Sequence, residues 1–454
     1  MDPCAQLDAR ERLRSSRPRA RIARVLLLLS LFIACPETRA ETRAESIETV
    51  PPSPNLWHAL SRGKLVLAFR GRIEVAKAGD LGQSEAYTLR SILGYRTQSY
   101  RGVSLYADIY NVTSPTRSTY FDPTRLPNSQ NLTTISDPLN TNLNQAFIKI
   151  EHPRSIGGGL IGGRQQIILD DARFIGNVDW RQNPQSFDSV FAYATAGVQN
   201  LALRYGWIGR VNRVFAGGGN NPDLANFDSN SQILNVEFSR FRFAKIVAFA
   251  YLLDLKQPNQ PTPTQQNQNS SKTFGFRVAG AVPIDGTWSL PYQASYAHQS
   301  QYGGKSIDYG ASYGLIDIGL RHPRMGTVGA AFEVLGSDAG RQQFTTPLGT
   351  LHLFNGWADL FLDNGGPDGL QDFHLYIEPE LPWSLKANLV YHIFWTDNQS
   401  EMLGNEFDAA VSRRFGRHFE FRFTSGYFIA SASSPKPQVY PTTYRVWLDF
   451  IFRF

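Results

Sequence analysis

The chain has 454 residues, and its formal net charge of +6 arises from 45 Lys and Arg against 39 Asp and Glu. Residues 1–40 hold eight Arg and four acidic residues, which leaves 37 basic against 35 acidic residues elsewhere. The basic excess lies mainly in the N-terminal segment, so an interpretation as a nucleic-acid-binding protein loses its main support. Both cysteines, Cys4 and Cys35, lie in the same segment, so the remainder offers no disulfide, zinc–thiolate site or cysteine nucleophile.

Residues 1–40 have the order of a secretory signal peptide. A basic stretch precedes an apolar run that ends at Cys35, and Thr38-Arg39-Ala40 has the small-x-small pattern of a cleavage site. The apolar run is too short to span a bilayer as a helix. We expect cleavage near Ala40, with lipidation at Cys35 as the alternative. Residues 41–63 are interpreted as a periplasmic lead-in because they are rich in proline near residue 52.

Residues 64–454 alternate between apolar and polar side chains with the period of two that a strand imposes. In the first such segment Leu67 and Phe69 share one face, and Arg70 lies on the other. No later stretch approaches 18 consecutive apolar residues, so no transmembrane helix is predicted. We therefore predict an all-β protein, a single transmembrane antiparallel β-barrel of about 18 strands. The predicted strands are 64–78, 85–98, 102–112, 143–152, 159–170, 187–196, 199–211, 231–241, 243–255, 272–284, 287–301, 306–321, 327–335, 370–379, 384–396, 404–415, 417–430 and 441–454.

The connections between these strands alternate in length. Outer-membrane barrels have short periplasmic turns and longer external loops. With the N-terminus in the periplasm, the loops after odd-numbered strands are external, whereas every connection after an even-numbered strand is brief. A strand wrongly inserted or omitted would break this parity. The long external loops are predicted at 113–142, 171–186, 212–230, 256–271 and 336–369.

The C-terminal segment places Phe450, Phe452 and Phe454 in one phase, away from Arg453. A terminal aromatic strand of this kind matches the signal by which Gram-negative outer-membrane barrels are recognised for insertion. We expect the barrel-assembly machinery to recognise this strand through Phe454 and the protein to reside in the cell outer membrane, in contact with lipid. A chance terminal Phe is the alternative.

The inward phase of the first two and last two strands, which are neighbours where the barrel closes, has a basic excess. A row of arginines could pass an anionic sugar chain from site to site, because the guanidinium presents a planar fork of donors suited to carboxylates. The alternative is that these arginines pair with lumen acids and brace the wall. The residues concerned are Arg70, Arg72, Arg90, Arg96, Arg422, Arg445 and Arg453, against Glu74, Glu420 and Asp449.

The loop after the fifth strand and its flanks carry three basic and three acidic side chains. If this loop folds inward, the charges form a constriction that selects solutes by sign. A self-paired network that fixes the loop is the alternative. Phe174 and Trp180 would then pack on the inner wall or offer a sugar-stacking surface, and we favour packing. The charged residues are Arg164, Asp170, Asp171, Arg173, Arg181 and Asp188.

The sequence contains no recognisable catalytic or phosphate-binding motif, so we do not predict an enzyme. His374 and His392 fall on the inward phase of neighbouring strands, beside Asp372 and Glu378, and form the best metal or acid–base cluster available. Histidines in a lumen more often belong to hydrogen-bond networks. We therefore predict no metal and no cofactor.

Several short segments between residue 64 and the C-terminus together resemble the AlgE-like alginate-export outer-membrane barrels. That resemblance implies an 18-stranded monomeric barrel with a polar pore, which in characterised members passes an anionic polysaccharide. The segments are Thr88-Leu89-Arg90-Ser91-Ile92-Leu93-Gly94-Tyr95, Gly163-Arg164-Gln165, Arg173-Phe174-Ile175-Gly176, Trp180-Arg181-Gln182-Asn183, Phe187-Asp188, His352-Leu353-Phe354-Asn355-Gly356-Trp357-Ala358-Asp359 and Tyr391-His392.

The predicted function is a porin or export channel through which an elongated, anionic polysaccharide or oligosaccharide passes by passive diffusion. A substrate-specific uptake porin for small organic anions or sugars is the alternative, and a barrel-embedded hydrolase is the contrasting class. The direction of transport cannot be read from the sequence. Export would require periplasmic partners, whereas uptake requires only an external supply.

Overall fold

The computed structural model describes residues 51–454 except for 129, 153–156, 196–199, 216, 218 and 258. The predicted signal peptide therefore lies outside the described residues. A short helix, Leu56–Ser61, precedes the first strand, and the side chain of its N-cap residue Asn55 accepts a hydrogen bond from the amide of His58 at 2.8 Å. Among the described residues, no helix is long and apolar enough to cross a membrane.

The strands of the described chain form one antiparallel sheet that closes on itself. The first strand pairs with the second and also with the last, from Ala68 opposite Arg453 to Ala78 opposite Thr443. The strands are β1 (Lys64–Ala78), β2 (Ser84–Arg96), β3 (Val103–Thr113), β4 (Asn140–His152), β5 (Gly158–Gln165), β6 (Ser186–Thr195), β7 (Leu201–Asn212), β8 (Asn226–Phe241), β9 (Ala244–Leu253), β10 (Leu255–Lys256), β11 (Ser271–Pro283), β12 (Ser289–Ser300), β13 (Gly310–His322), β14 (Gly326–Leu335), β15 (Leu370–Pro379), β16 (Lys386–Trp395), β17 (Met402–Phe415), β18 (Phe419–Ala430) and β19 (Thr443–Arg453).

Eighteen of these strands build the barrel wall, which confirms the predicted fold class and strand count. The additional strand, β10, has two residues that follow β9 and pair with β8. The predicted boundaries are accurate to a few residues at most positions. The larger errors are the start of β8, at Asn226 instead of 231, and the end of β5, at Gln165 instead of 170.

The two faces of the wall differ in chemistry. Inward side chains such as Arg72 are 2% exposed, whereas outward apolar side chains such as Leu93, Phe274 and Ile316 are 52%, 53% and 60% exposed. Apolar surface on this scale is unfavourable in water at about 25 cal/mol per Å², and it is stabilised when lipid covers it. The alternation in the sequence therefore corresponds to a lipid face and a lumen face.

Two external loops turn back into the barrel. They are residues 166–185 after β5, called the β5–β6 loop, and residues 336–369 after β14, called the β14–β15 loop. They pair with each other through a parallel bridge between Ile175 and Leu348, and the amide of Gly176 donates to the carbonyl of Leu348 at 2.8 Å. Ile175, Leu348 and Phe344 are fully buried. The loops thus form an apolar core with the inner wall.

The early end of β5 has a local cause. Ile167 and Leu169 continue the alternation of β5, but both are buried in the apolar core inside the barrel. Asp170 and Ala172 adopt positive φ angles of 55° and 65°, and the amide of Leu169 donates to the carbonyl of Ile175. A turn of this kind redirects the chain inward. Residues 166–170 therefore belong to the loop, which corrects the predicted strand.

Candidate functional site

Four arginines of the barrel wall gather on the inner face beside the β1–β19 junction. Arg72 binds Asp449 with two hydrogen bonds, Nε to Oδ1 at 2.8 Å and Nη2 to Oδ2 at 3.1 Å. Arg445 donates from Nη1 to Oε1 of Glu74 at 3.2 Å. We call the four arginines and the two acids the wall cluster: Arg70, Arg72, Arg90, Arg445, Glu74 and Asp449, none more than 7% exposed.

The β5–β6 loop presents a carboxylate to this cluster at Asp179. Arg90 donates from Nη1 to Oδ1 of Asp179 at 2.6 Å, and Arg70 donates from Nη1 to the carbonyl oxygen of the same residue at 2.7 Å. Arg70 also donates from Nε to Oε1 of Gln182 at 2.9 Å. Burial opposes ionisation of Asp179, but Arg90 and Arg70 outweigh burial and lower the pKa of Asp179 to about 2. The loop carboxylate is therefore held in its charged form.

Asp137 of the loop between β3 and β4 and Asp359 of the β14–β15 loop reach the same place. Asp137 Oδ2 lies 3.6 Å from Arg72 Nη1, and its Oδ1 accepts from the amide of Gln182 at 2.8 Å. Asp359 Oδ2 accepts from Arg181 Nη2 at 2.7 Å. Both aspartates are almost fully buried. Three loops that are distant in sequence therefore meet on one patch of the wall.

Aromatic rings close the patch on its inner side. Trp180 stacks on His352 with a centroid distance of 3.6 Å and an interplanar angle of 9°. The Arg72 guanidinium lies 4.6 Å from the centroid of the Trp180 ring. His352 Nδ1 is 2.7 Å from Asp359 Oδ1, and burial lowers the pKa of His352 to about 4. His352 is therefore neutral at pH 7 and donates to Asp359.

The charges of wall and loops are complementary. The wall cluster holds four arginines against Glu74 and Asp449, an excess of two positive charges. The loop groups that meet it are Asp137, Asp179 and Asp359 against Arg181, an excess of two negative charges. Because opposite charges in a low-dielectric interior attract strongly, the inward loops neutralise the basic wall.

A second contact joins both loops to the wall at β14, five strands from β19. Arg173 of the β5–β6 loop binds both carboxylate oxygens of Glu333 on β14, at 2.8 Å and 2.9 Å. Its Nη2 also donates to Oδ1 of Asn355 in the β14–β15 loop at 2.9 Å, and Asn355 donates to Glu333 at 2.6 Å. Tyr313 completes the group with a hydrogen bond to Glu333 at 2.7 Å. We call this group the loop clamp.

The remaining predicted residues lie outside the wall cluster. Arg164 binds Asp188 across β5 and β6 at 2.6 Å and 2.9 Å. Both residues share the outward phase of Leu160 and Val190, so this pair braces neighbouring strands on the outer face and does not belong to the predicted constriction. Asp170 accepts from Asn235 at 2.9 Å. Asp171 lies 3.2 Å from Arg277, and Arg422 binds Glu420 at 2.7 Å. Arg96 is at the periplasmic end of β2, and its guanidinium lies 5.0 Å from the centroid of the Tyr106 ring.

The aromatic residues of the β5–β6 loop pack against the interior. Phe174 contacts the rings of Phe249, Tyr313 and Phe344 at centroid distances of 5.0, 5.2 and 5.9 Å. Trp180 is 9% exposed between His352 and the wall. In this loop arrangement, neither ring presents a free face to the lumen for sugar stacking.

Sequence reasoning missed the loop residues that complete the site. Asp137 and Asp179 sit in irregular segments whose residues follow no periodic pattern, so no signal marked them. His352, Asn355 and Asp359 lie in one of the segments that resemble the family, but the resemblance assigns them no role. Their inward position was the information that the sequence lacked.

Comparison with known proteins places the chain among transport barrels. Residues 121–428, more than half of the chain, match the family described as alginate export. The chain belongs to the alginate export family. This result confirms the predicted resemblance, and together with the fold it identifies the protein as an outer-membrane channel of the Gram-negative type. The family and fold are those of transport channels and not of enzymes. No curated protein sequence matches this alginate export family member.

Solved structures similar to this alginate export family member are outer-membrane barrels with little sequence identity. OccD3 (OpdP) of Pseudomonas aeruginosa has a TM-score of 0.62 and 13% identity, over 90% of this chain and 95% of that chain. OccAB1 of Acinetobacter baumannii has a TM-score of 0.64 and 11% identity, over 90% and 100%. OpdK of Pseudomonas aeruginosa, solved with vanillate, has a TM-score of 0.60 and 12% identity, over 87% and 98%. At these identities the likeness shows the fold alone.

Proposed function

We propose that this barrel passes an elongated, hydrophilic and anionic polysaccharide or oligosaccharide by passive diffusion. The observation that carries the proposal is the complementary charge of wall and loops. When the loops leave the wall cluster, Arg70, Arg72, Arg90 and Arg445 face only two acids, and two positive charges are free for a solute. A polyanion is the solute that such a surface favours.

The contacts of Asp179 support a substitution of loop by substrate. The carboxylate of Asp179 accepts a hydrogen bond from Arg90 at 2.6 Å, and its carbonyl oxygen accepts one from Arg70 at 2.7 Å. A uronate residue carries the same two acceptor types, a carboxylate and neutral oxygens. A solute that takes over these contacts repays most of the free energy of undocking the loop, because leaving a buried charge unpaired is the costly step.

The other predicted charged residues extend the proposed pathway along the barrel. Arg96 and Arg422 lie toward the periplasmic side on the inward phase of β2 and β18, and Arg173 lies in the β5–β6 loop beyond the outer end of β5. Arginine forks spaced along a wall can hold a carboxylate in turn without trapping it. Because the sheet closes within one chain, we also propose that the barrel acts as a monomer.

Uptake of small organic anions or sugars is the second candidate. The inward loops favour it, since Ile175, Leu348 and Phe344 fill part of the lumen with a buried apolar core and so narrow the passage. Periplasmic export partners belong to the first candidate alone. Channel block by a long polyuronate, compared with block by its monomer, therefore distinguishes the two candidate functions.

Planar-bilayer recordings of the purified barrel test the proposal. We expect anion selectivity and block by polyuronate chains at concentrations where the monomeric uronate does not block. Arg70→Gln with Arg90→Gln is expected to lose both. Arg341→Gln is the matched control, because Arg341 is a 63% exposed external-loop arginine. Cation selectivity of the wild type contradicts the proposal, and block by the monomer but not the polymer favours the uptake porin.

A further inference from the structure

Two histidines and one aspartate converge on the inner wall, away from the wall cluster. His374 on β15 lies opposite His392 on β16 in the strand register, and Asp372 is two residues before His374 on the same face. Asp372 Oδ1 is 2.8 Å from His392 Nδ1 and 3.5 Å from His374 Nδ1. The three candidate ligand atoms all lie within 4.8 Å of one another. Two imidazoles and a carboxylate thus share one point of the lumen.

The hydrogen-bonding of His392 points to a cation at this place. Its Nδ1 faces Asp372, and its Nε2 lies 3.5 Å from Oδ2 of Asp408, so both ring nitrogens face carboxylates. A neutral imidazole has one donor and one acceptor nitrogen. For a neutral ring, one of the two contacts therefore sets a nitrogen lone pair against a carboxylate, unless a positive charge lies between the two groups. A proton or a metal ion can supply that charge.

Surrounding groups orient the ligands as they do in metal sites. Asn355 donates to Oδ2 of Asp372 at 3.1 Å, which leaves Oδ1 directed at the histidines. Asp408 faces the far nitrogen of His392, an arrangement that fixes the ring and favours a metal on the near nitrogen. His374 Nδ1 is buried and has no hydrogen-bond partner. A metal ion bound to this nitrogen would give it the partner that it lacks.

The local charge also calls for a cation. Four carboxylates, from Glu333, Asp372, Glu406 and Asp408, are almost fully buried on β14, β15 and β17, with β16 between the last two strands. Among the ion pairs of these four acids in the described residues, Arg173 on Glu333 is the one arginine. Backbone amides of Ala358 and Trp357 donate to Glu406 and Asp408 but carry no full charge, so a divalent ion would offset two of the buried charges.

We propose that Asp372, His374 and His392 bind one divalent transition-metal ion of the zinc class. Two imidazole nitrogens with one carboxylate oxygen suit zinc and its neighbours, whereas calcium and magnesium prefer oxygen ligands alone. Tetrahedral ligands at about 2.1 Å from zinc are about 3.4 Å apart, close to the 3.5 Å between His374 and Asp372. Small side-chain rotations bring the third ligand into place.

The fourth position of this metal would face the lumen. His374 is 22% exposed, while Asp372 and His392 are 1% and 6% exposed, so the open side of the group lies at His374. Water occupies such a position in the resting protein, and a solute carboxylate can replace it. This last consequence rests on the proposed function, whereas metal binding does not.

Calorimetric titration of the purified, tag-free barrel with Zn²⁺ after chelator treatment tests the site. We expect one Zn²⁺ per chain, at least tenfold weaker binding for His374→Gln and for His392→Gln, and no comparable site for Ca²⁺. Asp408→Asn is expected to weaken binding about 10-fold or more through orientation of His392. His298→Gln, which removes an exposed histidine on β12, is the matched control and retains wild-type affinity.

Three outcomes overturn the proposal. They are no Zn²⁺ binding by the wild type, equal binding in His374→Gln and wild type, and loss of binding in His298→Gln to the same extent. If the histidine variants do not fold, Co²⁺ with the wild type decides the matter. The visible absorption of four-coordinate Co²⁺ is expected, and its absence contradicts the site. Anion conductance is measured in a separate experiment, so a negative result there does not change the interpretation of the metal titration.

Discussion

Replacing Arg173 with alanine should release the inward loops. Arg173 makes three hydrogen bonds to Glu333 and Asn355, at 2.8, 2.9 and 2.9 Å, and its side chain is 1% exposed. Removing one partner of a buried ion pair costs about 3–5 kcal/mol, because the other charge stays buried without compensation. At about 1.4 kcal/mol per tenfold, the ratio of docked to released loops should fall by a factor on the order of 10³.

Two measurements report the release of the loops. Single-channel conductance should rise, since the loops occupy the lumen. A single cysteine at Ala172, which is 5% exposed, should react with a maleimide faster in the Arg173→Ala background than in the wild-type background. Residues 41–454 contain no cysteine, so this label is unique after cleavage of the predicted signal peptide. The strand hydrogen bonds are untouched, so the barrel itself should keep its heat-modifiable mobility.

Matched variants separate the clamp from general charge effects. Arg341→Ala removes the 63% exposed partner of Asp338 and should cost about 0–1 kcal/mol, without a change in conductance. Arg173→Met combined with Glu333→Gln removes both charges and should recover most of the lost docking. Conductance and labelling rates in Arg173→Ala that equal those of the wild type would refute the reasoning.

Three further predictions concern the loop residues that pack on the wall cluster. Acidification from pH 6.5 to pH 4 should raise conductance. The pKa of His352 is about 4 with the loops docked and about 6.5 once the ring is exposed, so protonation over this range favours the released loops. His352→Gln should remove this conductance change, and its persistence in the variant would point to another group. The pKa of Asp179 is about 2 with the loop docked, so its contribution to docking is present above about pH 3.9 and is lost as the pH falls through 2. Asp179→Asn should increase conductance at pH 7, and an unchanged conductance contradicts the proposed exchange of Asp179 for a solute carboxylate. Trp180→Ala should cost about 3–5 kcal/mol of loop docking, measured by the Ala172→Cys labelling rate, and labelling at the wild-type rate would refute this packing role.

The barrel could be predicted from the sequence because one physical demand acts along its whole length. Each strand faces lipid on one side and the lumen on the other, so residues such as Leu93 and Arg90 alternate without interruption. The alternation no longer predicts the end of a strand where the chain leaves the wall. Ile167 and Leu169 keep the alternation after β5 has ended, since the interior of the loops is apolar too.

The site could be predicted only in part, because its contacts cross large sequence distances. Barrel closure predicted that the strands carrying Arg72 and Asp449 are neighbours, and the structure shows these two residues hydrogen-bonded although they are 377 positions apart. The same logic placed His374 and His392 together. It could not select Asp137 or Asp179, because an irregular loop has no register that ties it to the wall. Loop position depends on the sum of tertiary contacts, which no local pattern encodes.

The wall cluster depends on closure of the barrel at the junction of β1 with β19. Arg72 and Glu74 come from the first strand of the wall, and their partners Asp449 and Arg445 come from the last. The four groups can therefore meet only when the first and last strands of the sheet have joined. A partly assembled wall has neither this charge pattern nor the surface on which the loops settle. Solute selection, in this arrangement, begins when assembly is complete.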